Sequence, residues 1–205
     1  EYTRAMSMWR NTDCVESWSW EDCDGNKTNI TIYASGVSAE LILNGRSLGK
    51  KKVKEGKAIF KNVKYIPGKI EAVNLDATGK EIGRTALQSA TGNTTLKLEA
   101  DKMQLRPNGQ DLCFIELSLV GENGILKMNA DTEINVRISG AGTLQGFGSA
   151  VPNTENSFIS GIYTTYRGRA LIAVRTGYEE GEIHVSVSAD RISEQTISIQ
   201  VKREK

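Results

Sequence analysis

The feature that most constrains this chain is the alternation of apolar and polar residues with a period of two. In the stretch TNITIYA, Ile30 and Ile32 alternate with polar neighbours, and AELIL repeats the pattern with Leu41 and Leu43. Because successive side chains of a β-strand point to opposite faces, this pattern predicts strands with one buried face. The same reasoning predicts strands at residues 28–34, 39–43, 57–63, 69–75, 81–87, 95–100, 111–120, 133–139, 170–175, 182–189 and 195–201.

Turn-forming residues separate these segments. Asn44-Gly45 joins two alternating segments, and this dipeptide predicts a β-hairpin because both of its residues tolerate the positive φ of a type I′ turn. Pro67-Gly68 predicts a second turn, in which proline fixes φ and glycine accepts the left-handed position. Short strands separated by such turns are typical of antiparallel β-sandwiches, and we expect no helix longer than a turn or two.

A run of small and polar residues at 89–94 (SATGNT) interrupts the strand pattern. Such a composition is typical of a domain boundary. We therefore predict an all-β fold with two immunoglobulin-like antiparallel β-sandwich domains in tandem, at residues 1–90 and 91–205.

The longest segment predicted to be irregular is 139–161, which contains four closely spaced glycines. Their spacing is neither that of a dinucleotide-binding loop nor that of a phosphate-binding loop, and no helix is predicted to follow. We therefore expect these glycines to serve at bulges and corners of a sandwich rather than at a nucleotide site.

Composition and charge exclude several classes of function. The formal net charge is +1 over 205 residues, so bulk electrostatics favours neither nucleic acid nor membrane binding, and no apolar segment is long enough for a membrane span. The single histidine, His184, alternates with Ile183 and Val185 and should face solvent, which leaves no nucleophilic triad. Without a CxxC pair or a Cys/His cluster we expect no metal site, and we expect no cofactor.

All three tryptophans, Trp9, Trp18 and Trp20, lie in the first twenty residues. If Trp18 and Trp20 share one strand face, an exposed indole pair could stack on sugar rings, with Tyr33 extending the platform and Asn29 or Glu21 supplying hydrogen bonds. The alternative is that the tryptophans pack in the domain or against a neighbouring domain, since large aromatic side chains dominate interfaces. We favour the domain core or interface over the sugar platform.

The cysteines allow two interpretations. Cys14 and Cys23 enclose eight residues, so they could form a disulfide or remain reduced thiols, and spacing alone does not decide between them. Cys113 alternates with Ile115 and Leu117, which predicts a buried, inert thiol.

Two polar segments are weaker candidates. Asn153, Glu155 and Asn156 offer oxygen atoms to a sugar hydroxyl or to calcium, although the spacing of a calcium-binding loop is absent. The basic run 50–54 (KKKVK) is expected to be a solvated face or a guarded strand edge.

Several stretches of the sequence resemble one family, in order along nearly the whole chain. ELILNGRSLG at 40–49 resembles a hairpin of the β-sandwich domain that follows the catalytic barrel in bacterial glycoside hydrolase family 2 enzymes of the β-galactosidase type. ESWSW at 16–20 and YIPGKIEAV at 65–73 resemble other strands of that domain. LEAD, NGQDL, GENG and SGAG in the second half resemble the immunoglobulin-like domain that often ends these enzymes.

This resemblance implies a non-catalytic, C-terminal accessory region that braces a catalytic barrel upstream in the same polypeptide. No (β/α)₈ pattern is present, so no catalytic residue is carried over to this chain. The first methionine is Met6, and we expect a piece of a longer hydrolase, located in the periplasm or outside the cell. The alternatives are a carbohydrate-binding module that recognises oligo- or polysaccharide and an adhesin-type protein-interaction module.

Overall fold

The computed structural model describes residues 14–203, and over this range the protein is all-β, as the alternating pattern predicts. The chain divides into two compact units. Of the described residues, the first unit contains 14–18 and Gly25–Gln88, and the second contains Ser19–Asp24 and 89–203. Within the described range, no helix is long and apolar enough to cross a membrane.

Six strands form the first unit: β1 (Lys27–Tyr33), β2 (Ser38–Leu43), β3 (Arg46–Lys52), β4 (Lys57–Lys64), β5 (Lys69–Leu75) and β6 (Glu81–Gln88). Strands β1 and β4 pair in a two-stranded antiparallel sheet, and the other four form an antiparallel sheet in the order β3-β2-β5-β6. Burial alternates along β2, where Leu41 and Leu43 are buried, and Phe60 of β4 is buried as well. In β5, Ile70 and Val73 are both buried although they lie on opposite faces of the strand. The period of two therefore selects the apolar face of β2 but not that of β5.

The β2–β3 hairpin has the predicted turn, with φ angles of 49° at Asn44 and 79° at Gly45. The Asn44 side chain also fixes the β4–β5 turn, because its amide donates to the Pro67 carbonyl oxygen (2.9 Å) and its Oδ1 accepts from the Lys69 N–H (2.8 Å). Gly68 has a φ of 129°, and a Cβ at this position would collide with the Asn44 side chain. Two turns that the sequence predicts separately are thus packed together.

Nine strands form the second unit: β7 (Thr95–Ala100), β8 (Gln104–Leu105), β9 (Leu112–Val120), β10 (Glu133–Gly140), β11 (Gly142–Gly148), β12 (Ile162–Thr164), β13 (Arg169–Thr176), β14 (Gly181–Ala189) and β15 (Ile192–Val201). One sheet has the order β11-β13-β9-β7, and the other has the order β12-β10-β14-β15-β8. The pairs are antiparallel except for the short parallel pairing of β8 with β15.

The core of the second unit lies between its two sheets. Ile115 of β9 and Ile172 of β13 are fully buried on one side. Ile183 and Val185 of β14 are fully buried on the other. This is the packing of a β-sandwich, in which the inner faces of two sheets interdigitate.

The glycine-rich segment differs from the prediction. Part of the predicted irregular segment 139–161 is the strand β11, which pairs with β13. Glycine has no side chain, so alternation cannot reveal a strand with glycines at 142, 146 and 148. At Gly148 a Cβ would lie 2.7 Å from the Phe158 ring, so this glycine permits a close approach of the 149–161 segment.

Candidate functional site

Trp18 is buried in the first unit rather than exposed on a strand face. Residues 14–20 form no strand, so the predicted placement of Trp18 and Trp20 on one strand face is wrong. Trp18 exposes only 2% of its surface, and its ring centroid lies 4.9 Å from that of Tyr65. Its indole N–H donates to the carbonyl oxygen of Ile66 at 3.0 Å. A buried indole with this geometry has no open face for a sugar ring.

Trp20 does not form a strand-face pair with Trp18. Trp20 is half-buried and belongs to the second unit, and Trp9 lies outside the described residues. The alternation rule failed here because the segment is irregular, so positions two apart do not share a face. The paired Trp18/Trp20 sugar platform is therefore wrong.

The hexapeptide Ser19–Asp24 is held in the second unit by polar contacts of Glu21. The Glu21 carboxylate accepts from Lys127 Nζ at 3.2 Å, and Lys127 is only 6% exposed. The Glu21 N–H donates to Asn129 Oδ1 (3.0 Å), and the Asn129 amide donates back to the Glu21 carbonyl oxygen (2.7 Å). Glu21 therefore has a structural partner at the position where the sequence suggested a sugar-binding side chain.

Tyr33 is exposed, as its position on β1 predicts. Its side chain is 63% exposed, and Lys57 Nζ lies 5.4 Å from the ring centroid, across the β1–β4 pair. A cation over one face of the ring is a cation–π contact, and it stabilises this side chain on the outer face of the two-stranded sheet. His184 also faces solvent as predicted, with Nδ1 2.9 Å from Ser198 Oγ.

The cysteines occupy three environments. Cys113 is fully buried in β9, as predicted, and burial raises the pKa of its thiol to about 11. Its lack of reactivity stays a prediction. Cys14 is exposed and Cys23 is half-buried, and the two sulfur atoms are not joined. The oxidised pair stays a prediction.

The loop that contains Asn153, Glu155 and Asn156 does not have the geometry of a binding site. Asn153, Glu155 and Asn156 are all exposed, and the Asn156 N–H donates to Thr154 Oγ1 at 3.0 Å in a local turn. Across residues 14–203, no group of three or more His, Cys, Asp and Glu side chains could hold a metal ion. Sugar binding at these three residues stays a prediction.

Four carboxylates are held in their ionised forms by their neighbours. The pKa of Glu71 is lowered mainly by the hydrogen bond from Lys69, that of Asp76 by Thr78 and that of Glu81 by Arg84. The pKa of Asp111 falls well below its usual range because Arg106 donates to it from side chain and backbone. A glycosidase acid needs the opposite shift, so these four carboxylates are suited to structural ion pairs and turns.

The first unit contains an open groove that sequence reasoning missed. We call it the lysine groove: it is open to solvent and has a volume of about 330 Å³. Its lining includes Leu43, Leu48 and Ile66, which we call the floor, and Lys51, Lys61 and Lys64, which we call the rim. Lys51 Nζ lies 5.3 Å from the Phe60 ring centroid. The sequence did contain a signal, since residues 46–64 include eight Lys and Arg side chains and one Glu.

A β-bulge shapes this groove. The β1–β4 register shifts between Thr28 and Ile30, and Asn62 on the opposite strand has a φ of 56°. The Asn62 N–H donates to Asn29 Oδ1 at 3.1 Å, which holds the bulge. A bulge redirects side chains that would otherwise alternate, and consecutive residues 60–64 all line the groove.

Two family models match the chain. The model described as glycoside hydrolase family 2 C-terminal domain 5 matches residues 96–198, and a domain of unknown function, DUF4982, matches residues 25–83. The matches fall within the second and the first unit, respectively.

Individual relatives agree with these matches. The β-galactosidase BoGH2A of Bacteroides ovatus is 23% identical over 184 residues, which is 89% of this chain and 21% of that protein. The solved structure of a glycosyl hydrolase family 2 member from Bacteroides cellulosilyticus is 31% identical, with a TM-score of 0.85 over 92% of this chain and 24% of that one. A β-glycosidase from Bacteroides vulgatus is 25% identical, with a TM-score of 0.78. The chain thus spans about a quarter or less of the length of these relatives.

Proposed function

Because this chain belongs to the C-terminal domain 5 family of glycoside hydrolase family 2, we propose that it is a non-catalytic accessory region of a β-galactosidase-like glycosidase. In this proposal it braces a catalytic barrel carried by the same polypeptide. The cleavage of the glycosidic bond belongs to the barrel, and the substrate of the parent enzyme is a β-glycoside. The parent acts in the periplasm or outside the cell.

The observation that carries this proposal is the anchoring of the segment at residues 14–24. Its first half ends in Trp18, which is buried beside Tyr65, and its second half is held through the Glu21–Lys127 ion pair. The buried indole of Trp18 stabilises the first half of the segment, and the charge-assisted contact of Glu21 with the buried Lys127 orders the second half. Such an anchored entry segment suits a region that receives the chain from a preceding domain.

The test compares the full polypeptide with a version that ends before residue 14. We expect the truncated enzyme to lose activity faster on heating, while residual turnover of an aryl β-galactoside persists at low temperature. The isolated 205-residue chain should show no turnover of the same substrate. Equal thermal inactivation of the two versions, or hydrolysis by the isolated chain, would contradict the proposal.

A carbohydrate-binding module is the second candidate, and one observation favours it. Tyr33 keeps 63% of its surface exposed and has Lys57 beside it, so a single aromatic ring is open to a sugar. Tyr33→Ala should then abolish any saturable response to neutral galactosides, with Tyr178→Ala, a change at another 75% exposed tyrosine, as the matched control. Identical responses of both variants would remove this candidate.

A further inference from the structure

Among the described residues, the lysine groove combines exposed apolar side chains with unpaired positive charge. Its apolar floor is open, with Leu48 41% exposed and Ile66 49% exposed. Its rim carries Lys51, Lys61 and Lys64, and the described chain places no carboxylate within ion-pair distance of any of the three. Neighbouring Lys50, by contrast, pairs with Glu40 at 3.7 Å. The groove is therefore positively charged without an internal counterion.

We propose that the lysine groove is a binding site for acidic oligosaccharide, with carboxylate or sulfate groups on sugar rings. The three ammonium groups would pair with these anions, and charge-assisted hydrogen bonds of this kind are stronger than neutral ones. The C–H faces of the rings would lie on the exposed side chains of Leu48 and Ile66. The carbohydrate class of the ligand rests on the proposed function, whereas its negative charge is argued from the groove itself.

The size and shape of the groove agree with such a ligand. Its volume of about 330 Å³ lies at the small end of the range for ligand sites and fits a short stretch of sugar units. Asn62, which lies at the bulge and lines the groove, adds a side-chain amide that can donate to a hydroxyl and accept from one. Lysine, amide and aliphatic surfaces together match the anions, hydroxyls and ring faces of an acidic sugar.

An acidic peptide fits this surface less well. A peptide would most readily add to the open edge of β3, which is the outermost strand of its sheet. That edge is irregular, because the β2–β3 register shifts between Glu40 and Ile42, and Gly49 has a φ of 106°. Bulges and lysines on an edge strand oppose strand addition.

The experiment is a fluorescence anisotropy titration of the 205-residue chain with three labelled probes of equal length. The probes are an oligogalacturonate, a sulfated neutral oligosaccharide and its unsulfated form. We expect at least one acidic probe to bind saturably and the unsulfated probe to bind about tenfold more weakly or not at all. The affinity should fall as salt is raised.

Paired variants locate the site. Lys51→Gln with Lys64→Gln should weaken binding of the acidic probe about tenfold, because two rim charges are lost. The matched control, Lys54→Gln with Lys80→Gln, removes the same charge from the same unit outside the groove and should leave affinity within about twofold. Leu48→Ser tests the floor without a change in charge and should also weaken binding.

Three results would overturn the proposal. The first is that the groove pair and the control pair of substitutions weaken probe binding equally. The second is that a poly-glutamate of equal charge binds as tightly as the acidic sugar. The third is that no acidic probe binds at millimolar concentration. None of these results affects the bracing role, because that role is measured by the thermal inactivation of the full enzyme.

Discussion

Trp18 donates its indole N–H to the carbonyl oxygen of Ile66 at 3.0 Å, although the two residues are 48 positions apart. The contact joins an irregular segment to the turn that precedes β5. It explains why one tryptophan of the N-terminal cluster is core while its neighbour in sequence at position 20 is only half-buried.

Trp18→Ala should lower the free energy of unfolding by about 3–5 kcal/mol, because it leaves a large cavity and an unpaired carbonyl oxygen. Trp18→Phe should cost less, since it keeps most of the apolar volume. Tyr33→Ala, at an exposed position, should stay within about 1 kcal/mol of the wild-type chain. Urea denaturation followed by circular dichroism measures all three, and similar costs for Trp18→Ala and Tyr33→Ala would contradict the buried placement.

Glu21→Gln should destabilise the second unit because it leaves the Lys127 ammonium group without its carboxylate in a nearly dry environment. We expect a cost of about 1–2 kcal/mol, since the Glu21 side chain itself is partly open to water. Adding Lys127→Met to the same chain should recover part of this loss, because an apolar side chain needs no partner there. A double variant no more stable than Glu21→Gln alone would argue against the pairing.

Gly68→Ala should cost more than Gly79→Ala, although both glycines have positive φ angles of 129° and 82°. At position 68 the added methyl group meets the Asn44 side chain, whereas at position 79 it meets open space. We expect about 2–3 kcal/mol for the first change and about 1 kcal/mol for the second. Thermal unfolding midpoints of the two variants check this order.

Asp111→Asn should remove a pH-dependent part of the stability. The pKa of Asp111 is lowered in the folded chain by Arg106, so its contribution is complete above the unfolded value of about 3.9 and is lost as the pH falls towards the folded value. The difference in unfolding free energy between wild type and variant should therefore shrink on going from pH 6 to pH 3. A constant difference over this interval would show that the carboxylate has no special partner.

Alkylation should distinguish the three cysteines by their reactivity. Under reducing, native conditions at pH 8, Cys14 should react with iodoacetamide and Cys113 should not, because its thiol is buried and its pKa is about 11. In an oxidising compartment, a Cys14–Cys23 disulfide would make the chain about 2 Da lighter and protect both sulfur atoms from alkylation. Intact mass with peptide mapping measures both outcomes.

Sequence patterns predicted regular strands well where side chains alternate. The predicted strands at 69–75 and 95–100 have the observed bounds, and in the second strand Leu96 and Leu98 mark one face. The Asn44-Gly45 turn was predictable because few residue pairs tolerate its backbone angles. The strand β11 was not, because its glycines carry no side-chain signal.

The candidate site was less predictable because it depends on long-range contacts. The Trp18 contact with Ile66 and the Glu21 contact with Lys127 join residues separated by 48 and 106 positions, so no local pattern reports them. The lysine groove needed the bulge at Asn62 as well as the basic composition of β3 and β4. The basic composition alone favoured a solvated face, since composition does not reveal that the lysines surround a groove.

The assignment of Ser19–Asp24 to the second unit has a consequence for how this region can be inherited. Residues 14–18 belong to the first unit, the next six residues belong to the second, and the chain from Gly25 to Gln88 belongs to the first again. Neither unit is therefore encoded by one uninterrupted stretch of gene. A recombination event at the codons for residues 88 and 89 would deliver a second unit whose Lys127 has lost Glu21. Selection should therefore favour the transfer of both units between genes together.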